Sequence, residues 1–267
     1  MTLNALEQYY DGVPRLGART EDFGALTLFV REGAGWPFYA RPTLGWTGPA
    51  ATAADVDRVR ARQRELGVPE AFEWVEETTP ALRTAVEASG IRVLAHPLMV
   101  QDPSAPRPAA HESVRILTAD DPLLSAALAV PHVAFAAPGT AVGEAGPAEL
   151  AKEIEARLGD GRAEAVAARI REGRTVVAAA VAEGTVLGSG LHNPLNGVTE
   201  VAAVGTLPSA RRRGLGLAVT AALVAEARTR GVETVFLSAD NEDVARLYGR
   251  LGFTRVATAL IAEADAS

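Results

Sequence analysis

The chain has 267 residues and no cysteine. That excludes a disulfide framework, a thiolate nucleophile and cysteine-ligated zinc, and it fits a reducing cytosol. An excess of positive charge is also missing. The formal net charge is −7 and the pI about 5.3, which argues against broad binding to nucleic acid or to an anionic membrane. No apolar run reaches the ~18 residues that a membrane span needs. The opening MTLNALEQYYDG has no basic leader ahead of an apolar core, so it does not read as a signal peptide. A cytoplasmic protein is expected.

Two common phosphate loops are absent. The dinucleotide fingerprint G-x-G-x-x-G needs a third glycine, but Gly216 is followed by Leu217, Ala218 and Val219. The P-loop needs Gly-Lys before Ser or Thr, and no lysine stands near these glycines.

What is present is ample apolar content, 48%, and one stretch of unusual order. Val198 to Thr206 is rich in β-branched and small apolar residues and predicts a strand. Pro208 breaks it. Arg211-Arg212-Arg213-Gly214-Leu215-Gly216 follows, and then an unbroken helical run, LAVTAALVAEARTR. A strand, a glycine turn and a helix N-terminus make an anion site. The first helical turn leaves its N–H groups without intrahelical partners, and the macrodipole adds roughly half a positive charge there. Glycines let a phosphate approach the backbone. The stretch predicts a pyrophosphate on the amides and side chains of Arg211, Arg212, Arg213, Gly214, Leu215, Gly216, Leu217 and Ala218.

V-G-T-L-P-S-A-R-R-R-G-L-G resembles the acetyl-CoA loop of the GNAT acetyltransferase superfamily, [QR]-x-x-G-x-[GA]. Downstream, the segment from Asn241 to Phe253, with Tyr248 and Gly252, resembles the second motif of that family, N-x-x-A-x-x-x-Y-x-x-x-G-F. Val244 stands where the family usually has alanine. The resemblance implies an α/β (α+β) mixed sheet of the GNAT fold, acetyl-CoA as acyl donor and no metal.

The rest of the chain has a matching pattern. Residues 1–22 read as a short helix and a loop. GALTLFVREG reads as a strand, and WPFYARPTLGW as a second strand broken by prolines. Trp36, Tyr39 and Trp46 either pack or line a pocket. A helix is expected from Thr52 to Leu66, with Thr52 as N-cap, Asp55 in a capping-box position and Gly67 as the stop. Then come strand (AFEWVEE), helix (TPALRTAVEASG) and strand (IRVLAHPLMV). After Gly231 the same order recurs: VETVFLSA, EDVARLYGRLG, FTRVATALIA. This reads as an internal repeat whose first copy lacks the arginines, the second loop glycine and the tyrosine. The implied organisation is two tandem acyl-CoA N-acyltransferase-like domains: a degenerate half at 1–103, a Pro/Ala/Ser-rich linker at 104–112 and a catalytic half at 113–267. In the second half VRILTADDP reads as a strand whose Asp120-Asp121-Pro122 caps the helix LLSAALAV. PHVAFAAPGTAVGEAG reads as a loop, and Pro147 to Glu172 as a helical stretch interrupted at Gly159-Asp160-Gly161. A hairpin turns at Glu183-Gly184. In the GNAT family the segment between the first two strands covers the acceptor site.

Acyl transfer from a thioester to an amine without a cysteine points to direct attack in a ternary complex. By the resemblance, Val204 and Thr206 offer main-chain groups to the pantetheine arm, and Asn241 either hydrogen-bonds that arm or caps a helix. Tyr248 would protonate the departing sulfur. A phenol near pKa 10 and a thiol near 8.5 make full transfer uphill by about 2 kcal/mol, so a hydrogen bond that strengthens with charge on sulfur suffices. Glu200 is the expected base. It stands six residues before Thr206, and strand alternation puts the two on one face. His192 is a second candidate, and water a third. An α-amine, with pKa near 8, is about a tenth neutral at pH 7 and needs little help. The acceptor is a small-molecule or peptide amine, with no nucleic-acid or membrane partner, and a homodimer is allowed. Alternatives are a CoA-binding regulatory module without turnover, a hydroxyl acceptor, or a longer acyl donor.

Overall fold

The computed structural model describes residues 3–106 and 110–264; the middle of the expected linker, 107–109, lies outside the described residues. In chain order the elements are α1 (Leu3–Arg15), β1 (Ala18–Asp22), β2 (Leu26–Arg31), β3 (Ala40–Pro42), α2 (Ala53–Glu65), β4 (Ala71–Val75), α3 (Ala81–Ala88), β5 (Val93–Gln101), β6 (Val114–Leu117), α4 (Leu124–Phe135), α5 (Pro147–Ala156), α6 (Arg162–Arg171), β7 (Val176–Ala182), β8 (Thr185–His192), β9 (Val198–Thr206), α7 (Leu215–Thr229), β10 (Thr234–Ser238), α8 (Glu242–Gly249) and β11 (Phe253–Glu263). A 3₁₀ turn, Pro208–Ala210, lies between β9 and α7.

The chain forms two compact units. One comprises Met1–Leu98, Ser238–Asn241 and Arg255–Ser267; the other comprises Met99–Leu237 and Glu242–Thr254. In the first unit the strands run β1-β2-β3-β4-β11. β11 pairs antiparallel with β4, Leu260 opposite Trp74, so the last strand of the chain completes the sheet of its first unit. Leu26, Leu28, Val56, Val59, Phe72, Leu82, Val86 and Leu260 form its core. Residues 1–22 depart from expectation: after α1 the chain enters β1, which pairs antiparallel with β2, Thr20 opposite Phe29. The polar ARTED of β1 carries no apolar alternation, and its pairing with the buried β2 makes it a strand.

The helix α2 starts as its sequence predicts. Thr52 Oγ1 accepts from the Asp55 amide at 3.4 Å, and Asp55 Oδ2 accepts from the Thr52 amide at 2.7 Å, which closes a capping box. The Asp55 carboxyl is held below its usual range, first by the Thr52 hydroxyl.

In the second unit the order is β10-β9-β8-β7-β6. β7 and β8 form the expected hairpin, with Glu183 (φ 50°) and Gly184 (φ 77°) both left-handed in its two-residue turn. β9 and β10 run parallel, Val235 opposite Thr199, and α7 is the crossover between them. Val219, Leu223 and Ala227, four residues apart, are fully buried and give α7 its apolar stripe.

A second departure lies in α4, which continues through Pro131 to Phe135, where the sequence suggests a loop. Proline cannot donate to the carbonyl four residues back, which is that of Ala127. That carbonyl accepts instead from Ser189 Oγ of β8, at 2.6 Å, and Ser189 is 1% exposed. The substitute donor lets the helix pass the proline.

Candidate acyl-donor site

The geometry after β9 is set by a break in its register. Ser189 pairs with Gly205 and Leu191 with Ala202, so β9 uses one residue more than β8 over this interval. Ala203, at φ 53°, is the extra residue, and the pair forms a β-bulge. An alanine held in the left-handed region is backbone strain at the end of a strand that leads into the glycine loop.

The bulge corrects the expectation that Glu200 and Thr206 share a face. Alternation holds only up to Ala202, and the inserted residue reverses it. Gly205 faces α4: a Cβ there would lie 3.0 Å from Ala134 Cβ and 3.2 Å from Pro131 Cα. Ala202 and Glu200 are on that same face by register. Thr206 faces α7 instead, and a Cβ at Gly216 would lie 3.3 Å from Thr206 Oγ1 and 3.9 Å from Val204 Cγ1. Val204, Thr206 and Gly216 are thus brought together, and half-buried Glu200, opposite Phe236 of β10, is on the other side of the sheet.

Gly214 is the N-cap of α7 at φ 77°, with no side-chain cap. The first intrahelical bond is Ala218 N–H to Gly214 O, 3.0 Å. The amides of Gly214, Leu215, Gly216 and Leu217 precede it and have no acceptor within the helix. Arg212 is also left-handed, at φ 64°. Arg212, Arg213 and Gly214 are exposed, whereas Leu215 is buried and anchors the turn.

Arg211 plays a different part from its neighbours. Its amide donates to Pro208 O at 3.3 Å. Its guanidinium donates to the carbonyls of Ala134 (2.8 Å), Ala137 (2.6 Å) and Ala141 (3.2 Å). Burial lowers its pKa. It therefore satisfies the C-terminal end of α4 and ties the 137–141 segment to the loop. Gly143 N–H to Pro208 O (3.1 Å) and Ser209 N–H to Ala145 O (2.9 Å) extend that seam.

His192 is not placed to take a proton from a substrate. It is fully buried, with Nδ1 3.0 Å from Thr199 Oγ1 and Nε2 2.8 Å from Glu226 Oε2. Burial, the larger cause, lowers its pKa against the opposing pull of Glu226. The neutral ring then donates from Nε2 to Glu226 and accepts from Thr199 at Nδ1. It bridges β8, β9 and α7.

Tyr248 is half-buried on α8, its ring centroid 6.0 Å from that of Phe253. Val244 is half-buried on the same helix. Asn241 is exposed and falls in the first compact unit, where its Nδ2 donates to Asp240 Oδ2 at 2.8 Å. Among the described residues no group of three or more His, Asp or Glu side chains is arranged to hold a metal, and no helix is long and apolar enough to cross a membrane.

The acetyltransferase (GNAT) family model matches residues 147–253, which include the bulged strand, the loop and Tyr248. No curated protein matches the chain. Among solved structures, a GCN5-related N-acetyltransferase from Kribbella flavida is 21% identical, with a TM-score of 0.66 over 99% of this chain and 96% of that one. A putative GNAT-family acetyltransferase from Novosphingobium aromaticivorans is 16% identical, with a TM-score of 0.55 and the same coverage of both chains. A tandem GNAT protein from the clavulanic acid biosynthesis pathway is 20% identical, with a TM-score of 0.53 over 91% of this chain and 79% of that one. The whole chain therefore takes the tandem GNAT fold, and its residues 147–253 match the GNAT acetyltransferase family model.

Proposed function

We propose that the chain is a cytoplasmic, acetyl-CoA-dependent N-acetyltransferase that moves an acetyl group to a primary amine of a small-molecule or peptide acceptor, by direct attack in a ternary complex. The observation that carries this reading is the uncapped N-terminus of α7 directly after a bulged strand. The residues suit coenzyme A on this chain's own features. Gly214 has nothing within 4 Å of its Cβ position, and Gly216 borders Val204 and Thr206 closely enough that a side chain there would crowd them.

Acetyl-CoA supplies an activated carbonyl and a thiol leaving group. The amides of Gly214 to Ala218 hold the diphosphate, and Arg212 and Arg213 add positive charge beside it. Arg211 contributes by fixing the loop against α4. Val204 and Thr206 offer main-chain groups to the pantetheine arm, and the bulge at Ala203 turns an unpaired main-chain donor toward the thioester oxygen. Asn241 hydrogen-bonds the arm. Tyr248 Oη donates to the sulfur as charge grows on it. Glu200, on the α4 face, takes the amine proton, directly or through water. Its position opposite to Thr206 suits an acceptor that enters from the α4 side while the donor lies toward α7.

The test is release of free thiol from acetyl-CoA in the presence of a panel of alkylamines, aminoglycosides and peptide N-termini. Amine-dependent release that saturates supports the reading. Saturable CoA binding with no release on any amine overturns it in favour of a regulatory module.

A further inference from the structure

The first unit contains a cavity of about 360 Å³ that the acyl-donor site does not use. That is many times the space one water needs. The cavity is open to solvent along Leu44, Gly45, Trp46 and Ala50, and a volume of this size is that of a small-molecule pocket. Its place in the fold is also that of a ligand site. β3 and β4 run parallel, Ala40 opposite Phe72, and residues that follow the two strands, 43–46 with 50–51 and 78–79, line the cavity. Open α/β sheets bind ligands outside the carboxyl ends of such strands.

The walls have a definite chemistry. Glu7 supplies the single formal charge among the lining residues, and it is only 9% exposed. Its Oε1 accepts from Thr78 Oγ1 at 2.6 Å, and its Oε2 accepts from the buried Arg41 guanidinium. A carboxylate offers about four lone-pair sites, so acceptor capacity is left for a ligand. An apolar pair would hold these elements together at least as well as a buried ion pair, which leaves recognition as a reason for the carboxylate.

Leu44 and Trp46 also line the cavity, 41% and 47% exposed. The indole is fixed in place: its Nε1 donates to Pro49 O at 2.8 Å, and it lies so close over Gly48 that a Cβ there would be 2.3 Å from the ring. The α2 N-terminus beside the lining residues Ala50 and Ala51 offers no anion site, because Asp55 already caps it.

We propose that this cavity is a binding site for a small organic ammonium, separate from the acyl-donor site. Its N–H groups bond Glu7, and its apolar body rests on Leu44 and the Trp46 ring, where large aromatic surface is buried on contact.

The test is isothermal titration calorimetry of the full chain, without acyl donor, using tryptamine as the cationic probe and indole-3-acetate as its anionic counterpart. Two substitutions at exposed positions report on the cavity: Ala50→Phe fills it and Trp46→Ala removes its aromatic wall. Thermal unfolding checks that both fold. Expected is saturable tryptamine binding, weakened about tenfold or more by each substitution and by exchange for indole-3-acetate, and unchanged in Glu200→Gln. No tryptamine binding, equal binding of the anion, or binding lost in Glu200→Gln but kept in both cavity variants would overturn the proposal. None of these outcomes depends on whether thiol release is seen.

Discussion

Replacing Gly214 with valine probes the loop through backbone conformation alone. A Cβ at this position meets nothing within 4 Å, so bulk is not the difficulty. The difficulty is φ 77°. A non-glycine residue in the left-handed region costs about 1–2 kcal/mol, and more when β-branched. The turn is exposed and leads directly into α7, so the chain can relieve that strain by leaving the left-handed region. Relief rotates the amides of Leu215 to Leu217 away from their common direction. Hydrogen bonds to a charged group are worth about 1.5–3 kcal/mol each, so loss of two weakens coenzyme A binding by about 100-fold or more. Asparagine tolerates the left-handed region far better, so Gly214→Asn should hold affinity within a few-fold. Calorimetric titration with coenzyme A, alongside thermal unfolding of each variant, makes the comparison. Equal affinity for Gly214→Val and the parent, or equal losses for valine and asparagine, would refute the reasoning.

Tyr248→Phe should lower thiol release while leaving coenzyme A affinity nearly unchanged; a large affinity loss at unchanged turnover would contradict the role of Tyr248 as proton donor. Ser189→Ala should destabilise the chain by about 1–3 kcal/mol, because the Ala127 carbonyl beside Pro131 is left buried without a donor; denaturant titration reads this, and no change in midpoint would show that the serine does not support the helix. The His192 pKa is lowered by burial, so near the ordinary histidine value of about 6.5 the unfolded chain takes up a proton that the folded chain refuses. That stability is complete above pH ~6.5 and falls as pH drops below it. His132, lowered first by burial and then by Arg157 and Arg162, adds to the same slope. His192→Gln should therefore flatten the loss of stability between pH ~7.5 and ~5.5; an unchanged slope would assign all of it to His132 and to other groups.

Much of the fold was legible because local chemistry decided it. The Thr52/Asp55 box, the Glu183-Gly184 hairpin and the α7 stripe each follow from a few adjacent residues. What was illegible depended on distant partners. β1 is polar and becomes a strand only against β2. Pro131 reads as a helix stop until Ser189, 58 positions later in the chain, supplies the missing donor. In the site, the glycine loop was visible in its residue order, but the bulge at Ala203 was not, because an alanine has no preference for φ 53°. One inserted residue moved Glu200 to the other face. The part of Arg211 was equally hidden: a run of three arginines does not say which one turns back onto α4.

The two halves show how one element order serves two ends. β3-α2-β4-α3-β5 and β9-α7-β10-α8-β11 repeat strand, helix, strand, helix, strand. Thr52 and Gly214 are the N-caps of α2 and α7, 162 positions apart, the same spacing as Gly90 and Gly252. At α2 a hydroxyl and a carboxylate of the chain itself occupy the helix terminus. Two of its donors, the Thr52 and Asp55 amides, are satisfied by these side chains, and the Asp55 charge offsets the dipole. At α7 a glycine stands in the cap position and offers neither, so the donors and the dipole stay available to an external anion. Exchanging one residue with an oxygen-bearing side chain for one with no side chain at all thus separates a self-closed helix from an open one. The first unit, its anion terminus closed, keeps a cavity beside a carboxylate instead.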